Sequence, residues 1–268
     1  MFLYTTLVQR AIEDMTRSVR PLRHVDPRRL AVMAGPRACR THNGGLAQCY
    51  GLRQPEKEDF TYWYEPRTRR VVRVTPWGRH ENTRVTLHGV EMLYLILLRL
   101  PRLLSHDPVG TIVHELIHIS PHFDGRLRQM RHGRRFDAVV NECVRLWKRA
   151  GDPCLAASLR MSLEALVARW GSLVAHSFGP PFVSPRLCPV KDPPPFDAHP
   201  DFRRKRLVCA PDVLEVLAGK WTLENVPSHL TERDLVYRVY TTQSARRISA
   251  TAVRHAKSLD SRCRTPMG

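Results

Sequence analysis

The sequence predicts an α+β fold. Three observations lead there: helical spacing of apolar residues over 7–19 and 134–149, a two-stranded pattern over 60–74, and an apolar helical run carrying His114-Glu115-Leu116-Ile117-His118. Amphipathic helices must bury one stripe, and helices segregated from short strands pack as α+β. At 268 residues the chain holds one sizeable domain plus a smaller module. Its 43% hydrophobic and 25% charged residues are those of a globular protein, so general disorder is not indicated.

Taken in order, Val8, Ile12, Met15 and Val19 share one face of a helix over 7–19 that ends near Pro21. Asp26-Pro27 turns the chain into a short strand, Leu30 to Met33, and Gly44-Gly45 precedes a second, Leu46 to Leu52. Phe60 to Tyr64, a Glu65-Pro66-Arg67-Thr68 turn and Val71 to Val74 read as a β-hairpin. These pieces suggest a small antiparallel sheet, with Val90 to Leu104 as a helix packed on it. The next helix starts at Asp107, an N-cap residue followed by Pro108, and Pro121 stops it.

Beyond a Phe123-Asp124-Gly125 loop, Phe136, Val139, Val140, Cys143 and Trp147 line a helix from Arg134 to Arg149 that ends before Gly151. Another helix is expected over Leu155 to Val174. Eight prolines from Pro180 to Pro200 read as a stiff linker or wrapped arm. Further helices are expected over Asp212 to Leu217, Glu232 to Tyr240 behind a Thr231 cap, and Ser249 to Ser258. The chain thus divides into a catalytic-type domain over 1–178, a proline-rich arm over 179–206 and a basic helical C-terminal module over 207–268.

The formal charge is +18, an excess that favours polyanions or acidic proteins as partners. Thirteen basic and 7 acidic residues give +6 over 201–268 and leave +12 for 1–200, so no single tail carries it. The 7 cysteines are scattered, without a Cys-x-x-Cys pair, which points to reduced thiols and a cytoplasmic setting. The first residues lack a basic leader, and the most apolar stretch, Val90 to Leu100, is too short to span a bilayer. No membrane partner is expected.

Residues at i and i+4 lie one turn apart on the same helix face, so His114 and His118 can aim at one metal ion with Glu115 beside them. Zinc lowers the pKa of its water, and Glu115 would take that proton as the water attacks a carbonyl. A zinc site needs at least three protein ligands. His122 continues the i+4 series, but Pro121 intervenes. Asp124 stands where metzincins place their last histidine, but Pro121 replaces the turn glycine of that pattern. Glu142 lies on the charged side of its helix. His132 fits best, because Gly133 allows a sharp entry to a helix that Phe136 anchors.

His114-Glu115-x-x-His118 followed by His132-Gly133-x-x-Phe136 resembles the SprT-like (Spartan-type) zinc metallopeptidases over about residues 105–150. It is also similar to putative phage-type metallopeptidases. The resemblance implies a zincin-like domain in which His114, His118 and His132 bind Zn2+ and Glu115 is the general base. The paired cysteines of a zinc ribbon, frequent in SprT-like proteins, are absent, so DNA association rests on charge alone. Arg126, Arg128, Arg131, Arg134 and Arg135 surround the third ligand and would draw an acidic peptide or a phosphate backbone, or form a solvated face.

Weaker signals are a second metal site at Cys39, His42 and Cys49, and a helix-turn-helix over Glu232 to Ser258. The expected function is zinc-dependent peptide hydrolysis on a protein substrate, with DNA-associated (nucleoid) targets in view. The alternative is a nucleic-acid-binding protein whose zinc site is structural or vestigial.

Overall fold

The computed structural model describes residues 1–35, 45–53, 58–64, 67, 71–128, 130–179, 186–189, 208–209 and 228–244. Strand β1 (Phe2–Leu3) runs into helix α1 (Tyr4–Ser18), where Val8, Ala11, Ile12 and Met15 recur at helical spacing and are buried. Strands β2 (Leu30–Ala34), β3 (Ala47–Gly51), β4 (Glu58–Tyr64), β5 (Val71–Glu81), β6 (Arg84–Leu87), β7 (Val90–Glu91) and β8 (Tyr94–Leu98) follow. Then come α2 (Pro108–Ile117), α3 (Arg134–Ala150), α4 (Pro153–Leu159) and α5 (Leu163–Trp170). The remaining strands are β9 (Leu173–Phe178), β10 (Arg186–Pro189), β11 (Val208–Cys209), β12 (His229–Leu230) and β13 (Leu235–Tyr240). The architecture is mixed α+β.

The sheet that positions the site has the order β2-β8-β3, with β2 parallel and β3 antiparallel to the central β8. It is therefore mixed, where a small antiparallel sheet was expected. The hairpin of β4 and β5 is present, in a second sheet of order β10-β5-β4-β11. Strands β1, β9 and β13 form a third sheet, and β12, β6 and β7 a fourth.

Three expected helices are corrected. Val90 to Leu104 holds β7, β8 and a short 3₁₀ turn over Arg102–Ser105. His88 and Gly89 both have positive φ, 52° and 74°, and turn β6 into β7 as a two-residue hairpin loop. Strand β8 is buried on both faces: Tyr94, Ile96 and Leu98 join the main core, while Leu95 and Leu97 join a smaller one with Ala31, Met33 and Val85. A strand covered on both sides has no polar face, so its apolar run has no period to read.

Leu155 to Val174 splits into α4, α5 and β9. Ser162 caps the second helix by accepting from the Ala165 N–H at 3.2 Å, and Gly171 ends it at φ +78°. Glu232 to Tyr240 is a 3₁₀ turn followed by β13, which pairs antiparallel with β9. The Thr231 cap is present, as a capping box with Asp234, but it opens a single turn. Glu65, Pro66 and Thr68 of the hairpin turn, Gly44, the arm over 190–200, and the helices expected over Asp212 to Leu217 and Ser249 to Ser258 lie outside the described residues.

The main core is walled by α1, α2, α3 and one face of β2 and β8. Phe136, Val140, Cys143 and Trp147 turn α3 inward, whereas Val139, expected in the same stripe, is 41% exposed. Asp14 joins α1 to α3: one carboxylate oxygen accepts from Trp147 Nε1 at 2.7 Å and from the Asp152 N–H at 2.8 Å. No helix among the described residues is long and apolar enough to cross a membrane.

Candidate metal centre

Helix α2 starts where expected, with Asp107 at the N-cap position and Pro108 in the first turn, but the Asp107 side chain makes no capping hydrogen bond and the helix ends at Ile117, before Pro121; Val109, Ile112, Val113 and Leu116 bury it. His114 and Glu115 lie in its last turns and His118 caps its C-terminus. After His118 the chain folds back on itself. Ile119 pairs with Leu127, the Ser120 N–H donates to Arg126 O, and the Arg128 N–H donates to His118 O at 2.7 Å. Tyr94 on β8 braces this turn: its hydroxyl donates to Arg126 O at 2.8 Å and accepts from the Gly125 N–H at 3.0 Å. Gly125 sits at φ +83°, a conformation that only glycine adopts without cost.

The returning chain delivers His132 to the end of α2. His118 Nε2 lies 3.2 Å from His114 Nε2 and 3.0 Å from His132 Nε2. Phe136, one turn into α3, packs against all three rings, with centroids 4.7 Å from His114, 5.1 Å from His118 and 4.9 Å from His132. The aromatic floor comes from a buried core residue, so the orientation of the imidazoles is tied to the packing of α3 on α2.

Do these residues suit a metal ion? A tetrahedral ion with bonds of about 2.0–2.1 Å to nitrogen spaces its ligand atoms roughly 3.3 Å apart. The observed 3.0 and 3.2 Å are within a few tenths of that spacing. Hydrogen bonds between neutral rings would account for only one of these two contacts, because His118 Nε2 offers either one N–H or one lone pair. Burial lowers the pKa of His114 and, helped by His114 and His132, pushes His118 down to about 4. Both shifts favour the neutral ring that metal ligation requires. Donor set, spacing and protonation all fit a divalent ion such as zinc.

Glu115 is buried, and its Oε2 accepts a 2.7 Å hydrogen bond from the Cys49 N–H on β3. Desolvation raises its pKa to about 7, against the opposing pull of that bond. Burial, then the charge of Glu115, pushes the Cys49 thiol well above its usual range, so Cys49 stays a protonated neighbour.

The rivals for the third ligand are elsewhere. His122 is exposed beyond the end of α2. Asp124 accepts from the Arg126 N–H at 3.2 Å on the surface, and Glu142 pairs with Arg145 on the exposed face of α3. His114, His118 and His132 are the metal-capable cluster among the described residues. Gly133 is an extended N-cap residue whose added Cβ would meet open space, so crowding is not what calls for glycine there.

Of the weaker signals, Cys39 and His42 lie outside the described residues. The first helix of the helix-turn-helix is strand β13 instead, since its residues find their hydrogen bonds on β9. Tyr94 and the Cys49 N–H escaped the sequence reading. One sits in a run read as helix, and the other is a backbone group that no residue type announces. No family model, no curated protein and no solved structure matches the chain.

Proposed function

We propose that the chain is a zinc-dependent peptidase in which His114, His118 and His132 hold the ion and Glu115 is the general base. What carries this reading is the approach of three imidazole Nε2 atoms, two from α2 and one from the loop before α3, with contacts of 3.0 and 3.2 Å. Three histidines leave one position of a tetrahedral ion open, the arrangement of catalytic rather than closed structural sites. Bound zinc would supply Lewis acidity, activating water and polarising the scissile carbonyl. Glu115 would accept the proton of the attacking water and pass it to the nitrogen of the departing amine. A carboxyl with a pKa of about 7 suits both halves of that transfer. Cys49 holds one of its oxygens and leaves Oε1 for the proton. The resemblance of the motif to SprT-like metallopeptidases points the same way.

Among the described residues β3 is an edge strand of its sheet, with β8 on one side, while Glu115 and Gly125 O take the Cys49 and Arg53 N–H groups on the other. The exposed arginines after α2 favour a second reading, a nucleic-acid-binding protein with a structural zinc. Glu115→Gln separates the two. It should leave one zinc per chain by elemental analysis and cut peptide hydrolysis by at least about 100-fold, the usual scale for losing a general base. His132→Ala should bring the zinc content well below one. Retention of full peptidase activity in Glu115→Gln, or wild-type protein that takes up no zinc, would overturn the reading.

A further inference from the structure

The segment that joins α2 to α3 and brings His132 to the site is rich in arginine. Residues 119–137 carry five of them (Arg126, Arg128, Arg131, Arg134 and Arg135) against two carboxylates, Asp124 and Asp137. All five arginines are exposed. Asp124 is the charge partner of Arg126, and Asp137 acts on His114. Among the described residues no carboxylate forms a salt bridge with Arg128, Arg131, Arg134 or Arg135. Their placement is also costly. Arg134 and Arg135 open α3, at the positive end of its dipole, where a cation is disfavoured. Local rules are broken in this way mainly where function demands it.

These residues are neighbours of the proposed ligands along the chain. Arg128 follows directly from the backbone bond to His118 O, Arg131 adjoins His132, and Arg134 and Arg135 precede Phe136, the floor of the three rings. We infer that the site selects peptides with acidic side chains flanking the bond to be cut, the guanidinium groups pairing with substrate carboxylates on either side of the metal. This rests on the peptidase reading above. An acidic peptide is favoured over nucleic acid because these charges belong to the short segment that brings His132 to His118. A duplex needs a long run of phosphate contacts, whereas a peptide in the site needs only the few charges of this segment. Guanidinium groups match carboxylates in paired hydrogen bonds, so the preference would be chemical as well as electrostatic.

The test uses the full chain loaded with zinc and three fluorogenic peptide sets, identical except for Asp and Glu, Asn and Gln, or Lys and Arg beside the cleavage point. The acidic set should be cut with kcat/KM about tenfold above the neutral set at low salt, with the basic set lowest. Raising the salt to about 0.5 M should shrink the ratio, because exposed charges are screened. Arg128→Gln/Arg131→Gln, checked for one zinc per chain as evidence of an intact site, should lower the acidic-to-neutral ratio several-fold. Equal cleavage of all three sets would overturn the inference and leave the peptidase reading standing. The same holds if the ratio is unchanged in the double variant, or if an oligonucleotide binds through these arginines while peptides are cut without regard to charge. Protein that holds one zinc yet cuts none of the sets would overturn the peptidase reading and the inference with it.

Discussion

Phe136 is the residue on which the three imidazoles rest, and it is also part of the main core. Phe136→Ala should therefore cost about 3–5 kcal/mol of stability through the cavity it leaves. It should also weaken zinc binding about 10–100-fold through the loosened rings. Urea denaturation measures the first effect and chelator competition the second; loss of stability with unchanged affinity would show that the rings hold their places without it. Gly151 is decided by space rather than by conformation. Its φ is −86°, open to any residue, yet an added Cβ would fall 2.2 Å from Trp147 Nε1 and 2.8 Å from the Asp14 carboxylate. Gly151→Ala should break the Asp14–Trp147 bond and destabilise the chain by about 1–3 kcal/mol, read from the urea midpoint. The sequence marks Gly151 only as a helix stop; the indole against it becomes visible once α1 and α3 are packed.

At the scale of elements, the turn between α2 and α3 determines whether a third ring arrives. The Tyr94 hydroxyl makes two of its hydrogen bonds, one to Arg126 O and one from the Gly125 N–H. Tyr94→Phe should cost about 1–3 kcal/mol for the backbone groups left unpaired and should speed amide hydrogen exchange over residues 120–128. Unchanged exchange there would mean that the Ile119–Leu127 pairing holds the turn alone. The helices were legible where one face is polar: α1 and α3 show their period because solvent keeps the other face charged. Strand β8 was not, because burial on both faces erases the alternation that distinguishes strand from helix. Strand β13 was misread for a different reason. A Thr231 cap and a first-turn acid do begin a helical turn, but pairing with β9 then outcompetes its continuation.

For the whole molecule, the metal would tie α2 to the chain entering α3, two segments of the same core. Free zinc at about 100 times its dissociation constant should raise unfolding stability by about 2.7 kcal/mol, by mass action on the folded state. His132→Ala should lose most of that increment, which titration calorimetry and thermal melts with and without zinc would detect; an equal increment in the variant would place the zinc elsewhere. The sequence by itself determined the chemistry on offer: two imidazoles one turn apart with a carboxylate between them, a later histidine followed by an anchoring phenylalanine, and an excess of arginine between them. These follow from residue identity and helical period, which are local. Only the tertiary structure decided that His132, rather than His122, Asp124 or Glu142, meets the other two rings. It also decided that an edge-strand N–H holds Glu115. Those outcomes depend on how a turn braced by Tyr94 closes over fourteen residues, and closure is set by packing between elements distant in the chain.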